Sequence, residues 1–272
     1  MHVIAALGQH TINLLDGTGR FWLFAGQSFY KAPSSLAGRR NLRLTGRQMF
    51  EIGTRSLPVM MVTGMFVGMV LAVQAVAQFK SAGLEGQLGA IVNMSVLREL
   101  GPVLAGILLA GRVGGAITAE LGTMRVTEQL DALRAMGADP VRHLVAPRLV
   151  ACLLLGPLLV IYADLMGIFG SYYVSVFIYD INAATFWSHA AAVVEFFDIL
   201  MGLIKSVLFS GAIVLICCYT AFHCRSGAAG VGRACTESFV FSCIAILVLD
   251  FFGNVVLDVI YQSLYGVKIM VA

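Results

Sequence analysis

Ser56 to Phe79 reads SLPVMMVTGMFVGMVLAVQAVAQF, 24 residues without a charge between Arg55 and Lys80. A helix rises about 1.5 Å per residue, so roughly 20 mostly apolar residues cross the hydrocarbon layer of a bilayer. This stretch is long enough. Working outward, Glu85 to Arg112 encloses 26 residues broken only by Arg98-Glu99. Arg148 to Asp180 encloses 31 broken only by Asp164, and Asp198 to Arg225 encloses 26 broken only by Lys205. Glu237 to Asp258 encloses 20 broken only by Asp250. Five spans follow, which places the two termini on opposite sides.

Composition agrees. The chain is 59% hydrophobic and 12% charged, against about 45–50% and about 25% in ordinary soluble domains. The expected class is an all-α integral membrane protein, which excludes a soluble enzyme and leaves no nucleic-acid partner to expect. The six cysteines show no C-x-x-C pair and lie in or beside apolar runs, as small buried residues do.

Lys and Arg concentrate on the cytoplasmic side of membrane proteins. Lys31, Arg39, Arg40, Arg43, Arg47 and Arg55 precede the first span. Arg112, Arg125, Arg134, Arg142 and Arg148 lie between the second and third, and Arg225 and Arg233 between the fourth and fifth. The opposite side holds only Lys80 and Lys268. The N-terminus is therefore expected in the cytoplasm and the C-terminus outside, in the periplasm if the membrane is a bacterial inner membrane. Residues 1–44 form a first segment. Its apolar clusters alternate with His10, Asn13, Asp16 and Arg20, as in an amphipathic helix lying in the membrane surface. Pro33, Ser34, Ser35 and Gly38 mark a break. Arg39, Arg43 and Arg47 then recur at helical spacing, as topology-setting charges or as a headgroup contact. Residues 45–272 carry the spans. Gly64 and Gly68 form a G-x-x-x-G that predicts close helix packing.

A charge at mid-bilayer costs about 2.5–3.5 kcal/mol on insertion scales, so each one needs a partner or water. Counting from the span ends, Lys205 and Asp250 lie roughly 9–10 Å deep in the outer half, and Arg98 and Glu99 about 18–20 Å deep. Adjacent residues point about 100° apart on a helix, so Arg98 and Glu99 do not easily share one contact. Either ion pairs neutralise these groups within the bundle, or a polar cavity open to the outside is lined from three spans. Asp250, Asn254 and Asp258 form a polar stripe leading outward. Asp164 has no evident partner.

Catalytic signatures are missing. There is no G-x-x-x-x-G-K-[ST], no H-E-x-x-H and no G-x-S-x-G, and the five histidines show no metal-ligand spacing. No cofactor and no metal are expected. Any ATP hydrolysis belongs to another chain.

The loop between the second and third spans predicts an amphipathic helix over about 123–137. Thr123 serves as its N-cap, Val126, Leu130, Leu133 and Met136 fall at helical spacing, and Gly137 ends it before Pro140. Within it, Asp131-Ala-Leu-Arg-Ala-Met-Gly137 is similar to the E-A-A-x-x-x-G coupling segment of ABC importer permeases, with Asp for Glu. Leu97-Arg-Glu-Leu-Gly-Pro-Val103, Ala110-Gly-Arg-Val-Gly114, Ala119-Glu-Leu-Gly-Thr-Met-Arg125 and Thr127-Glu-Gln-Leu130 resemble the MlaE family of lipid-transport permeases. So do Gly68-Met-Val-Leu71, Leu203-Ile-Lys-Ser-Val207 and Leu249-Asp-Phe251.

That resemblance implies a homodimeric permease of the bacterial inner membrane, with two cytoplasmic ABC ATPase subunits and an outer-side MCE-domain lipid-binding protein as partners. It implies membrane lipid, phospholipid by preference, as substrate. Arg98, Glu99, Lys205 and Asp250, with Arg47, become the candidate substrate-binding residues. Thr123, Arg125, Glu128, Asp131, Arg134 and Gly137 become the candidate ATPase-coupling residues. Asp164 and the stretch Cys217–Cys235 fall outside the family pattern. The residues by themselves also admit an ion-coupled secondary transporter using Asp164, Asp250 and Glu99, or a structural scaffold.

Overall fold

The computed structural model describes residues 2–35, 39–81 and 87–265. Gly38 and Lys268 lie outside them. Every regular element among the described residues is helical. In chain order they are α1 (His2–Lys31), α2 (Arg39–Ser81), α3 (Leu88–Val126), α4 (Gln129–Ala135), α5 (Val141–Ile178), α6 (Ala183–Val193), α7 (Phe196–Phe222) and α8 (Ala228–Tyr265). A 3₁₀ turn, Ala32–Ser35, follows α1 where Pro33 lacks an N–H to continue the helix. Helices α2, α3, α5, α7 and α8 are long and apolar enough to cross a membrane, so the chain is a multi-pass membrane protein.

Charges do not end these helices where their positions in sequence suggested. Arg112 lies inside α3, and Arg148 inside α5. Arg148 is buried; its guanidinium meets Glu120 at 2.8 Å and donates to the Leu144 carbonyl at 2.7 Å. An arginine paired in this way can be carried within a helix, and capping chemistry sets the helix end instead. Helix α6, capped by Asn182 accepting from the Ala184 N–H at 2.8 Å, is an element that reading by charge spacing did not anticipate. Helix α2 runs unbroken through residues 44 and 45.

Gly64 and Gly68 lie where α2 touches α5: a Cβ there would come within 2.3 Å of the Ala163 carbonyl oxygen and 1.9 Å of that of Gly167. The predicted close packing is present, and its partner is the third span. Helices α3, α5 and α7 enclose the core, where Leu121, Leu149, Ile213, Cys217 and Cys218 have no exposed surface. All six cysteines are free. Helix α8 leaves Phe251, Phe252, Val255, Val256 and Val259 exposed along one side. Helix α1 docks through Phe21 and Phe24 against Tyr219 of α7, ring centroids 5.4 and 5.7 Å apart. Its end is held by Lys31, whose ammonium lies 2.5 Å from Asp139.

Candidate functional site: a polar network across three spans

Four of the five charges left inside the spans meet, all but Asp164. Lys205 on α7, 1% exposed, pairs with Asp250 on α8 at 2.9 Å and donates to the main-chain carbonyl of Arg98 on α3 at 2.8 Å. Asn254, one turn beyond Asp250, donates to Glu99 at 3.3 Å and to Asp250 at 3.4 Å. Arg98 turns the other way and donates through Nε to Asp198 at 2.6 Å. Asp198 is fully buried in the first turn of α7, where its other oxygen accepts from the Glu195 N–H at 2.8 Å and closes a capping box. Glu195 in turn accepts from the Tyr261 hydroxyl at 2.9 Å, tying in α8 again.

The backbone of α3 prepares this site. Val96–Leu100 is a wide π-helical turn, closed by the Gly101 N–H donating to the Val96 carbonyl. Pro102 follows and has no N–H for the Arg98 carbonyl four residues earlier. That carbonyl is the one Lys205 occupies. A freed carbonyl in an apolar surrounding costs several kcal/mol unless satisfied, and a buried ammonium has the same need. Each meets the other's requirement. Gly202, one turn before Lys205, lies against the Leu97 carbonyl and lets α7 come close.

Two of the sequence inferences change here. Arg98 is not deeper than Lys205: its carbonyl meets the Lys205 ammonium, and its side chain reaches Asp198, seven residues nearer the start of α7. Helix α3 does not end at Arg112 but continues to Val126, so its middle lies beyond Arg98. Asp198 is not only the charge that bounds the fourth span but the partner of Arg98, a pairing that nothing in its sequence spacing signals. Glu99 and Arg98 do diverge, to α8 and α7 respectively. Arg47 does not join this network. It is exposed near the start of α2, the opposite end from the α2–α3 connection, as is Arg43. Asp164 is buried on α5, packed against Gly101, and its Oδ1 has no hydrogen-bond partner among the described residues. The network combines charged hydrogen-bonding groups, exposed at Glu99, with the apolar exposed face of α8. A surface of this kind can contact both halves of an amphipathic molecule.

At the Arg-rich end, the expected single helix over about 123–137 is two pieces. Thr123 is not an N-cap; it lies in the last turns of α3, its hydroxyl donating to the Ala119 carbonyl at 2.7 Å. The chain turns at Thr127-Glu128, with Glu128 left-handed at φ 60°, and α4 starts at Gln129. The apolar spacing through Val126 continued the periodicity across a break that it could not register. Gly137 does end α4, at φ 74°. Its N–H donates to Arg134 at 2.9 Å and that of Ala138 to Leu133 at 3.0 Å, a Schellman closure. Asp131 holds Arg125 at 2.6 Å and Arg134 at 3.0 Å, fixing α4 to the end of α3. Leu130 is buried, while Met136 projects outward at 73% exposure.

Comparison with known proteins places this architecture. The chain is 41% identical over 245 residues to a probable ABC transporter permease protein of Rickettsia prowazekii, covering 90% of this chain and 93% of that one. It is 36% identical over 258 residues to the intermembrane phospholipid transport system permease protein MlaE of Haemophilus influenzae, covering 92% and 95%. It is 37% identical over 216 residues to the chloroplastic protein TRIGALACTOSYLDIACYLGLYCEROL 1 of Arabidopsis thaliana, covering 79% and 62%. The Permease MlaE family model matches residues 45–256, which include every member of the polar network except Tyr261, and the chain belongs to that family.

Proposed function

We propose that the chain is the permease subunit of an ATP-driven lipid transporter, working as a homodimer and moving phospholipid between a bacterial inner membrane and an outer-side MCE-domain carrier. The observation that carries this reading is the convergence of Arg98, Glu99, Lys205 and Asp250 from three spans beside an exposed apolar helix face. A phospholipid has a charged headgroup and apolar chains, and needs both kinds of contact on its way out of the bilayer. The name of the Haemophilus influenzae relative supports phospholipid as the substrate.

In this reading residues 1–44 form the interfacial segment and 45–272 the permease domain. The N-terminus is cytoplasmic and the C-terminus periplasmic. Two separate ATPase subunits dock on α4 and the end of α3, with Arg125, Glu128, Asp131 and Arg134 at the contact and Gly137 shaping it. Arg39, Arg43 and Arg47 lie at the cytoplasmic headgroup layer, where each cation near an anionic surface is worth about 1 kcal/mol.

The test is lipid transfer from proteoliposomes holding the chain and its ATPase to an acceptor carrier. Lys205→Leu with Asp250→Leu removes both charges of the buried pair at once, so no unpaired charge is left, and only the Arg98 carbonyl loses its donor. A double variant that folds, binds the ATPase and moves no lipid is the expected result. One that transfers lipid normally overturns the role of the pair. The buried, unpartnered Asp164 oxygen favours a second reading, an ion-coupled transporter; transfer driven by a proton gradient without ATP would establish it.

A further inference from the structure

At the Arg-rich end, α1, α7 and α8 enclose a groove of about 640 Å³. This falls within the roughly 300–1,000 Å³ of small-molecule sites. Trp22 of α1, Tyr219 of α7, and Phe241, Ile244 and Val248 of α8 line it. At one end stand Arg225, in the α7–α8 connection, and Arg233, in the first turns of α8.

Three observations identify an occupant. The first is charge: Glu237 takes only the Nε of Arg233, at 2.7 Å, and Arg225 forms no ion pair among the described residues. The groove therefore has a cationic mouth on an apolar body. The positive end of the α8 dipole adds to it. The second is length. From Arg233 to Val248 is fifteen residues of helix, about 22 Å, which matches one leaflet with its headgroups, half of the 40–45 Å of a whole bilayer. The third is position. Basic pockets between membrane helices recognise anionic headgroups, and here the cations lie at the helix ends with the apolar wall running inward from them.

We propose that this groove binds one anionic phospholipid from the leaflet at the Arg-rich end, its phosphate between Arg225 and Arg233 and an acyl chain along Trp22, Phe241, Ile244 and Val248. The groove's cationic mouth is distinct from the polar network, which the apolar wall approaches only at Val248, two residues before Asp250. Tyr219 lies fourteen residues, about 21 Å, along α7 from Lys205, toward the other end. It does not depend on the transport reading above. Because α1 forms one wall, a bound lipid also fastens α1 to the bundle.

Trp22 is the built-in probe, since the chain has 2 tryptophans and Trp187→Phe leaves it alone. The single-tryptophan protein is reconstituted in phosphatidylcholine vesicles with a small, equal fraction of acyl-brominated phosphatidylglycerol or acyl-brominated phosphatidylcholine. Brominated phosphatidylglycerol is expected to quench Trp22 several-fold more at equal fraction. The preference should be lost with Arg225→Gln/Arg233→Gln. It should also fall with Ala245→Phe, since Ala245 lines the groove beside Ile244 and a larger side chain there fills it without touching a charge. Equal quenching by the two lipids in the single-tryptophan parent overturns the proposal. A preference that survives in either variant does the same. So does quenching by neither lipid together with disulfide cross-linking of Phe241→Cys between two chains, which assigns the groove to a second copy. If the double arginine variant fails to fold, the Ala245→Phe result decides.

Discussion

The Lys205 ammonium donates to the main-chain carbonyl of Arg98 at 2.8 Å, filling the acceptor that Pro102, without an N–H, leaves open. One side chain on α7 thus repairs the backbone of α3 while its charge is met by Asp250 on α8 at 2.9 Å. The pair Lys205–Asp250 is therefore only part of what holds these helices at one level. Removing Lys205 exposes that defect in α3, whereas removing Asp250 leaves it filled.

Lys205→Met should destabilise the protein by about 3–5 kcal/mol, because Asp250 and the Arg98 carbonyl both lose their partner. Adding Pro102→Ala supplies an N–H within reach of that carbonyl and should recover about 1 kcal/mol, the net worth of a hydrogen bond. A double-mutant cycle by thermal unfolding in one detergent measures the coupling. Strict additivity would show that Pro102 does not create the need Lys205 meets.

Gly68→Ala should cost about 1–3 kcal/mol or more, since its Cβ would sit 1.9 Å from the Gly167 carbonyl oxygen and force α2 off α5. Gly115→Ala in α3 meets nothing within 4 Å and should stabilise by about 0.5–1 kcal/mol. Unfolding midpoints of the two variants should therefore move in opposite directions.

Asp139 gives the α1 attachment a pH dependence. Its partial burial raises the carboxyl pKa, but the hydrogen bond from Lys31, then the Val141 N–H, the Lys31 charge and the Arg142 N–H outweigh this and hold it below the ordinary 3.8. A value lowered by folding means the stabilisation is complete above 3.8 and is lost as pH falls through the lower folded value. The pair is partly exposed, so its worth is at most about 1 kcal/mol. Limited proteolysis of α1 should increase below pH 3.8 in the parent, and Asp139→Asn should show the increased cleavage already at neutral pH.

Glu128→Gly should stabilise the α3–α4 turn by about 1 kcal/mol, because only glycine adopts a left-handed φ without steric cost. Slower amide exchange in α4 would register it. Glu128→Lys with Asp131→Lys instead puts like charges beside Arg125 and Arg134. Membrane insertion should be normal and ATPase coupling lost; coupled transport at the parent rate would refute docking at α4.

Much of this was legible in the residues one span at a time. The charge-free runs located the five long helices, Gly64 and Gly68 announced a close contact, and Gly137 announced a helix end. Each depends on local chemistry: transfer into hydrocarbon, the missing Cβ, a left-handed backbone. Asp198, α6 and the break at Thr127-Glu128 were not legible. The Arg98–Asp198 pair joins residues 100 apart, and nothing near either one signals the other. The break at Glu128 lies within an apolar periodicity that reads the same on one helix or two.

The sequence alone determined that five segments are long and apolar enough to cross a membrane, because the exclusion of charge from hydrocarbon acts on each segment independently of its neighbours. Which charges meet was decided only by the tertiary structure. Meeting depends on the level and rotation of each helix relative to the others, and those follow from the Gly64 and Gly68 contacts with α5, the π-helical turn at Val96–Leu100 and the open carbonyl before Pro102.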